Sequence, residues 1–407
     1  MNPSSVPTPT FSADEALEHV IIGGGICGVH LAVRLLAEAG VAPRRLVIVD
    51  PAPALLHRWD TCTANTGMPF LRSPAVHHLD LDPWSLLRFA GVRGRQRRQP
   101  DQFTPPYDRP AIDLFAEHSR WTIAQHGLSD RHLAARATAV RLTDAGASVT
   151  LADGTELSTA RVVLALGASE QPHWPDWARA LREAGGHVEH VFQPGFDLQP
   201  DALPARVIVM GAGITGAQVA LRLARAGRQV TLVARHELRE HQFDSDPGWL
   251  GPKEMTRFQA ERSATARRRL IQQARHRGSL PKDVLRELRA AMRRGEVVWH
   301  RAEVQGAAVT DDGLTLTTSA GARAADALIL ATGFDRHRPG GALVDQLVAD
   351  HHLPCAACGY PLVDPYLRWH PRLYVSGPLA ELELGPTSRN IAGARRAGER
   401  IVAAMSA

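Results

Sequence analysis

Gly23-Gly24-Gly25-Ile26-Cys27-Gly28 joins a short apolar run, His19-Val20-Ile21-Ile22, to a helix-forming stretch from Val29 to Ala39 that stops at Gly40. A second apolar run, Arg45-Leu46-Val47-Ile48-Val49, follows and ends in Asp50. Strand, GxGxxG, helix, strand and acid make a complete βαβ unit, with the acid 22 residues after Gly28 where about 20 are expected. The second half repeats the pattern. Arg206 to Met210 reads as strand, Gly211-Ala212-Gly213-Ile214-Thr215-Gly216 as turn, Ala217 to Ala226 as helix, Gly227 as stop and Gln229 to Ala234 as strand. A single glycine-rich turn is weak evidence. Two of them, each in its own βαβ context, restrict the chain to an α/β protein with two Rossmann-like dinucleotide-binding domains. Each unit also has the same tail: an alternating meander, with Asp153-Gly154 in one and Asp312-Gly313 in the other, then an apolar strand. Those strands close on Ala165-Leu166-Gly167-Ala168 and on Ala331-Thr332-Gly333-Phe334.

The turns imply specific chemistry. A pyrophosphate binds against the first turn of a helix, where backbone N–H groups have no intrahelical partner. Gly23 and Gly211 allow the sharp turn, Gly25 and Gly213 let backbone approach the phosphate, and Gly28 and Gly216 let helix pack on strand. Asp50 accepts hydrogen bonds from a ribose hydroxyl, so the first site suits FAD or NAD. The second unit ends in Arg235, which can only donate. With Arg239 nearby it suits the 2′-phosphate of NADPH.

Composition narrows the setting. Four cysteines in 407 residues are too few for a disulfide scaffold and suit a reducing cytoplasm. The first twenty residues show no basic start and apolar core of a signal peptide, and no apolar run nears the ~20 residues of a membrane helix. A cytoplasmic location and no membrane partner are expected. The balance of 47 basic and 42 acidic residues does not point to nucleic acid. Nor does the run Arg93-Gly94-Arg95-Gln96-Arg97-Arg98, which lacks interleaved aromatics and reads as a solvated loop. No metal site is expected: Cys355, Cys358, His351 and His352 fall within eight residues, but zinc sites usually join two separated pairs. Residues 1–15, rich in proline and serine, read as disordered. Residues 51–130 form an insertion with its own helices, including Ile112 to Gln125, and 253–293 an arginine-rich helical stretch with an exposed face.

On these motifs the sequence resembles the flavoproteins with two dinucleotide-binding domains, over nearly its whole length. The resemblance implies FAD in the first site and NADPH in the second, with the NADPH domain (201–345) nested within a discontinuous FAD domain (16–200 and 346–407). It implies that the turns holding Gly167 and Thr332-Gly333 lie beside the nucleotides. It also implies that Ser376-Gly377-Pro378, with Gly385 to Asn390, closes over the flavin, although Ser376 replaces the acid many members carry.

Within this family the sequence is most similar to the class B, N-hydroxylating monooxygenases. Arg58-Trp59 through Met68-Pro69-Phe70-Leu71-Arg72-Ser73 resembles the segment beneath their isoalloxazine ring. Gly186-His187-Val188-Glu189-His190 resembles their linker GxxxH, with Ala184 where an aromatic usually stands, and Phe243 to Pro252 occupies the place of their insertion. The resemblance implies an NADPH-consuming oxidoreductase hydroxylating an amine or other heteroatom of a small molecule with O₂. Its cofactor contacts would include Arg58, Trp59, Met68, Leu71, Arg72, Gly377, Pro378 and Asn390; Thr215 lies in the second turn. Candidate catalytic residues are His190, Asn390 and Cys62. Two alternatives stay open: an NADPH-dependent disulfide or quinone-type reductase, and an FAD/NADPH-binding redox sensor without turnover. Cys355-Ala356-Ala357-Cys358 sits outside the familiar redox-cysteine positions and reads as a surface turn. The sequence leaves homo-oligomer formation open.

Overall fold

Strand β1 (Leu17–Ile22) is almost wholly buried, as an apolar run needs when helices cover both faces of a parallel sheet. The computed structural model describes residues 16–94 and 98–405, so the first fifteen residues, expected to be disordered, and residues 95–97 of the basic run lie outside the described residues. After β1 come α1 (Ile26–Ala37), β2 (Leu46–Asp50), α2 (His57–Thr66) and α3 (Ile112–Gln125). Then follow β3 (His132–Ala134) and a meander of β4 (Ala137–Leu142), β5 (Ala147–Leu151) and β6 (Glu156–Leu164). The end of β6 returns parallel to β1, pairing Val163 with Ile21, while β2 flanks β1 on the other side, pairing Ile48 with Ile21.

The second unit is built alike. It contains β7 (Val188–His190), β8 (Arg206–Met210), α4 (Ile214–Arg225) and β9 (Gln229–Ala234). Three helices follow: α5 (Pro252–Ala260), α6 (Ala264–Ala274) and α7 (Lys282–Arg293). Helix α7 buries Val284, Leu285, Leu288 and Ala291, one helical stripe, against the sheet's core. After β10 (Val297–Arg301), an antiparallel trio, β11 (Val304–Thr310), β12 (Gly313–Thr318) and β13 (Gly321–Ala325), leads into β14 (Ala327–Leu330). The parallel sheet has the order β10-β9-β8-β14-β7.

The C-terminal residues complete the first sheet, not the second. β15 (Arg368–His370) and β16 (Leu373–Val375) extend its path to β15-β16-β6-β1-β2-β3, and α8 (Ile391–Ala403) packs on α1. Arg34 of α1 reaches Glu399 of α8 at 3.1 Å. The first unit is therefore discontinuous, and the second is nested inside it.

Two segments cross between the sheets. Val188–His190 pairs with Leu328–Leu330, so the expected linker is the edge strand of the second sheet. The helix Gly341–His351 packs on β4 of the first. Pro172 and Phe334 form an antiparallel bridge where the two crossing segments meet, and the rings of Phe334 and Phe192 stack beside it at 5.0 Å. Three short residues at a sheet edge carry too little apolar pattern to be read as a strand in advance.

Candidate active site

The three glycines of each turn do different work. Gly23 has φ +116°, and a Cβ there would stand 2.6 Å from the Ala165 carbonyl oxygen. A Cβ on Gly28 would overlap the Gly23 carbonyl oxygen. These two positions need glycine for the protein's own packing. Gly25 does not: a Cβ there meets no protein atom within 4 Å. Gly25 is also the N-cap of α1 and offers no capping side chain, so the first-turn N–H groups are left for an anion. Asp50 stands at the rim, where its carboxylate accepts the Gly24 N–H at 2.7 Å and the Ala52 N–H at 2.9 Å. Uncapped donors, an open second glycine and an acid fixed at the strand end fit a dinucleotide with an unphosphorylated ribose.

The second turn matches it. Gly211 has φ +113° and lies against the Ala331 carbonyl, Gly216 lies against Gly211, and Gly213 caps α4 without a side chain. Thr215 is in the first turn of α4. At the end of β9, the exposed Arg235 bonds His236 at 3.0 Å. His236 is held below its ordinary value by desolvation and by Arg239, Arg235 and Arg301. These three arginines make a cationic corner suited to a 2′-phosphate. Arg301 escaped the sequence reading because it arrives through strand register, opposite Ala234, and it also pairs with Glu237.

Beside the first turn lies an apolar wall. Trp59, Met68 and Leu71 pack with Ile26, Phe115 and Ile391, and the rings of Trp59 and Phe115 are 5.8 Å apart. Ser376 donates its N–H to Leu164, and Gly377, with φ +66°, brings its backbone against the Cys27 thiol of the first turn. Pro378 is buried behind it. This C-terminal segment thus closes on the first turn. Gly167 lies at the end of the neighbouring strand, and Thr332 donates to the His173 carbonyl beside Gly333.

Several expected site residues have other employment. Arg58 donates to the Ser169 carbonyl at 2.9 Å and to that of Phe192, holding α2 to the crossing segments. Arg72 reaches the second unit, donating at 2.8 Å to the carbonyls of Gln242 and His241 and to Ser279 Oγ. His190 is fully buried, accepts the Phe192 N–H at Nδ1, and is pushed by burial down to about 4. It is neutral at pH 7. Asn390 caps α8, its Oδ1 accepting the Gly393 N–H at 3.0 Å. Cys62 packs into the core of the second unit, and burial raises its thiol. The Cys27 thiol is pushed up to about 11 by burial. Cys355 and Cys358 are free, on a hairpin where Cys355 bridges to Pro361. Nor is the arginine-rich stretch simply an exposed face. Arg257, Arg262 and Arg269 are exposed, but Arg268 and Arg275 converge with Arg389 on Glu381, which is fully buried. An interfacial lock was missed altogether: Asn65 on α2 donates to the carbonyls of Val191 and Phe196, each at 2.9 Å, and accepts the Leu198 N–H.

Residues 20–169 match the family described as FAD-NAD(P)-binding, and residues 206–280 match the family described as FAD dependent oxidoreductase. The chain is an FAD- and NAD(P)-dependent oxidoreductase. No curated protein matches this flavoprotein at the level of sequence. Solved structures share its fold. The ornithine hydroxylase PvdA from Pseudomonas aeruginosa is 19% identical with a TM-score of 0.74, and the alignment covers 96% of this chain and 99% of that one. The ornithine N-hydroxylase KtzI from Kutzneria sp. 744 is 18% identical with a TM-score of 0.75, at the same coverage. The bacillithiol disulfide reductase Bdr (YpdA) from Bacillus cereus is 17% identical with a TM-score of 0.62, covering 96% of this chain and 99% of that one. No helix among the described residues of the flavoprotein is long and apolar enough to cross a membrane.

Proposed function

We propose that this flavoprotein is an NADPH-consuming monooxygenase that hydroxylates an amine or another heteroatom of a small molecule. One observation carries the reading: the wall beside the first turn is built from Trp59, Met68, Leu71, Phe115 and Ile391, with no thiol among them. Of the four cysteines, Cys27 is packed under Gly377 with its proton held, Cys62 faces the other core, and Cys355 and Cys358 sit on a separate hairpin. Thiol–disulfide exchange needs an accessible thiolate. The similarity in fold to the two ornithine hydroxylases supports the same reading.

FAD, when bound, would accept a hydride from NADPH and pass its electrons to O₂. The chain's own residues do the rest. The α1 N-terminus holds the FAD pyrophosphate and Asp50 the ribose, while Arg235, Arg239 and Arg301 select the phosphorylated coenzyme. Trp59, Met68 and Leu71 exclude water from the reacting face, which limits loss of reducing equivalents as peroxide. The balance is substrate, O₂, NADPH and a proton in; hydroxylated substrate, water and NADP⁺ out. The test measures NADPH consumption, O₂ uptake and H₂O₂ release across an amine and amino-acid panel. A compound that accelerates NADPH consumption, lowers the H₂O₂ yield and gains one oxygen supports the proposal. A reductase reading rests on Cys355 and Cys358 and on the similarity in fold to the bacillithiol disulfide reductase. Anaerobic turnover of a disulfide at the same rate would select it.

A further inference from the structure

The two glycine turns differ at their middle glycine. A Cβ on Gly25 meets nothing within 4 Å, whereas one on Gly213 would stand 3.4 Å from the Cα of Gly278. The segment His276–Ser279 therefore lies across the second turn as a strap at its middle glycine, a position left open at Gly25 of the first. Its position is fixed from several sides. Ser279 and Leu280 pair in parallel with Arg239 and Glu240, and His241 donates its N–H to Leu280 at 3.0 Å. His276 donates its N–H to the Asp244 carbonyl at 2.7 Å, and its ring stacks on that of His241 with centroids 3.8 Å apart. Arg72, from the FAD domain, bonds Ser279 Oγ and the two carbonyls opposite. Gly278 has φ +67°, so the strap's bend is made at a residue free to adopt the left-handed region.

Next to that bend stands Arg277. Its guanidinium has no carboxylate partner among the described residues, and neither has that of Arg336, which follows the turn after β14. Arg268, Arg275 and Arg389 gather around Glu381 nearby, and Arg389 also donates to the Tyr360 hydroxyl at 2.7 Å. Desolvation holds Arg277 below its usual value, and so, next, does repulsion from Arg336, Arg389 and Arg268. Asp244 is a further carboxylate close enough to act on Arg275. Five guanidiniums against Glu381 and Asp244 leave an excess of positive charge beside a helix N-terminus that itself favours anions. Arg336 joins the same group through its carbonyl, which accepts from Arg268 at 3.2 Å, and a guanidinium without a carboxylate is stabilised by an oxyanion beside it.

We propose that the His276–Ser279 strap belongs to the coenzyme site, and that Arg277, assisted by Arg336 of the same cationic group, binds the pyrophosphate of the nicotinamide coenzyme. This rests on the second turn being the coenzyme site. The role differs from that of Arg235, because the pyrophosphate is common to NADH and NADPH and the 2′-phosphate is not.

The test is equilibrium binding of NADP⁺ and NAD⁺ to the FAD-loaded protein by calorimetry, without turnover, with inorganic pyrophosphate as competitor. Arg277→Ala should weaken NADP⁺ and NAD⁺ by the same factor, on the order of ten- to a hundredfold, leaving their ratio unchanged. Arg336→Ala should act in the same direction, Arg277→Lys should restore part of the loss, and pyrophosphate should compete with NADP⁺ less well in Arg277→Ala. FAD content and Tm identify variants that remain folded. If Arg277→Ala fails to fold, Arg336→Ala and pyrophosphate competition in the wild type decide the question. Unchanged NADP⁺ affinity in folded Arg277→Ala overturns the proposal, including the case where only the KM for substrate rises. A wild type that binds neither NADP⁺ nor NAD⁺ overturns the coenzyme reading itself, which is a separate result.

Discussion

Replacing Gly25 with valine puts a branched side chain at the N-cap of α1, where φ −82° and ψ −168° are extended backbone open to any residue. Apart from its chain neighbours, no protein atom lies within 4 Å of the new Cβ, so the branch point enters open space. The apoprotein should keep its stability to within about 1 kcal/mol, a weaker N-cap being offset by a less flexible unfolded chain. FAD binding should suffer heavily. The added carbons stand between the pyrophosphate and the first-turn N–H groups of α1, and each charge-assisted hydrogen bond lost is worth about 1.5–3 kcal/mol. Losing two costs about 3–6 kcal/mol, on the order of a hundred- to ten-thousandfold in affinity. Gly28→Ala is the control with the opposite signature. Its Cβ overlaps the Gly23 carbonyl, so helix and turn must separate and the apoprotein itself should lose about 3 kcal/mol or more. Urea unfolding of both apoproteins, with FAD titration followed by flavin fluorescence, separates the two effects. Full FAD affinity in Gly25→Val, or destabilised Gly25→Val apoprotein, would refute this account of the turn.

Arg235→Ala should remove most of a ten- to hundredfold preference for NADPH over NADH in anaerobic flavin reduction, with Arg239 and Arg301 retaining the remainder; equal rates for both coenzymes in the wild type would count against the cationic corner. Cys355→Ser with Cys358→Ser should leave NADPH oxidation largely intact, and its abolition in a folded, FAD-loaded variant would favour the reductase reading. His30 and His78 are pushed by burial down to about 3 and His118 to about 4, and all three are fully buried. The unfolded chain therefore takes up their protons first, so their contribution is complete above about pH 6.5 and declines as pH falls toward the folded values. The loss reaches up to about 1.4 kcal/mol per pH unit for each histidine, and a urea midpoint unchanged between pH 7.5 and 5.5 would contradict it.

What the sequence revealed follows from the range of the forces involved. Both βαβ units, the packing demands at Gly23 and Gly28, and the helix Ile112–Gln125 were legible because apolar period and turn chemistry are local. Asp50 was legible for the same reason, since strand and acid are contiguous. The edge strand Val188–His190 was not, because its identity comes from pairing with residues 328–330. Arg301 and Arg277 were likewise not legible, because strand register brings the one opposite Ala234 and a strap over Gly213 carries the other, and neither has a spacing signal. Arg72 was placed under the flavin by resemblance, yet its guanidinium is committed to the second domain. The arginines at 268 and 275 read as solvated until Glu381, more than a hundred residues later, is seen buried among them.

The most direct test of the monooxygenase claim is the fate of oxygen atoms. The panel compound that most accelerates NADPH consumption is turned over under O₂ enriched in the heavy isotope, and the product is analysed by mass spectrometry. One heavy oxygen per product molecule, with NADPH consumed in equal amount after subtraction of H₂O₂, is the result this account predicts. No heavy oxygen in any product, with NADPH oxidation matched by anaerobic reduction of a disulfide or quinone, would contradict it.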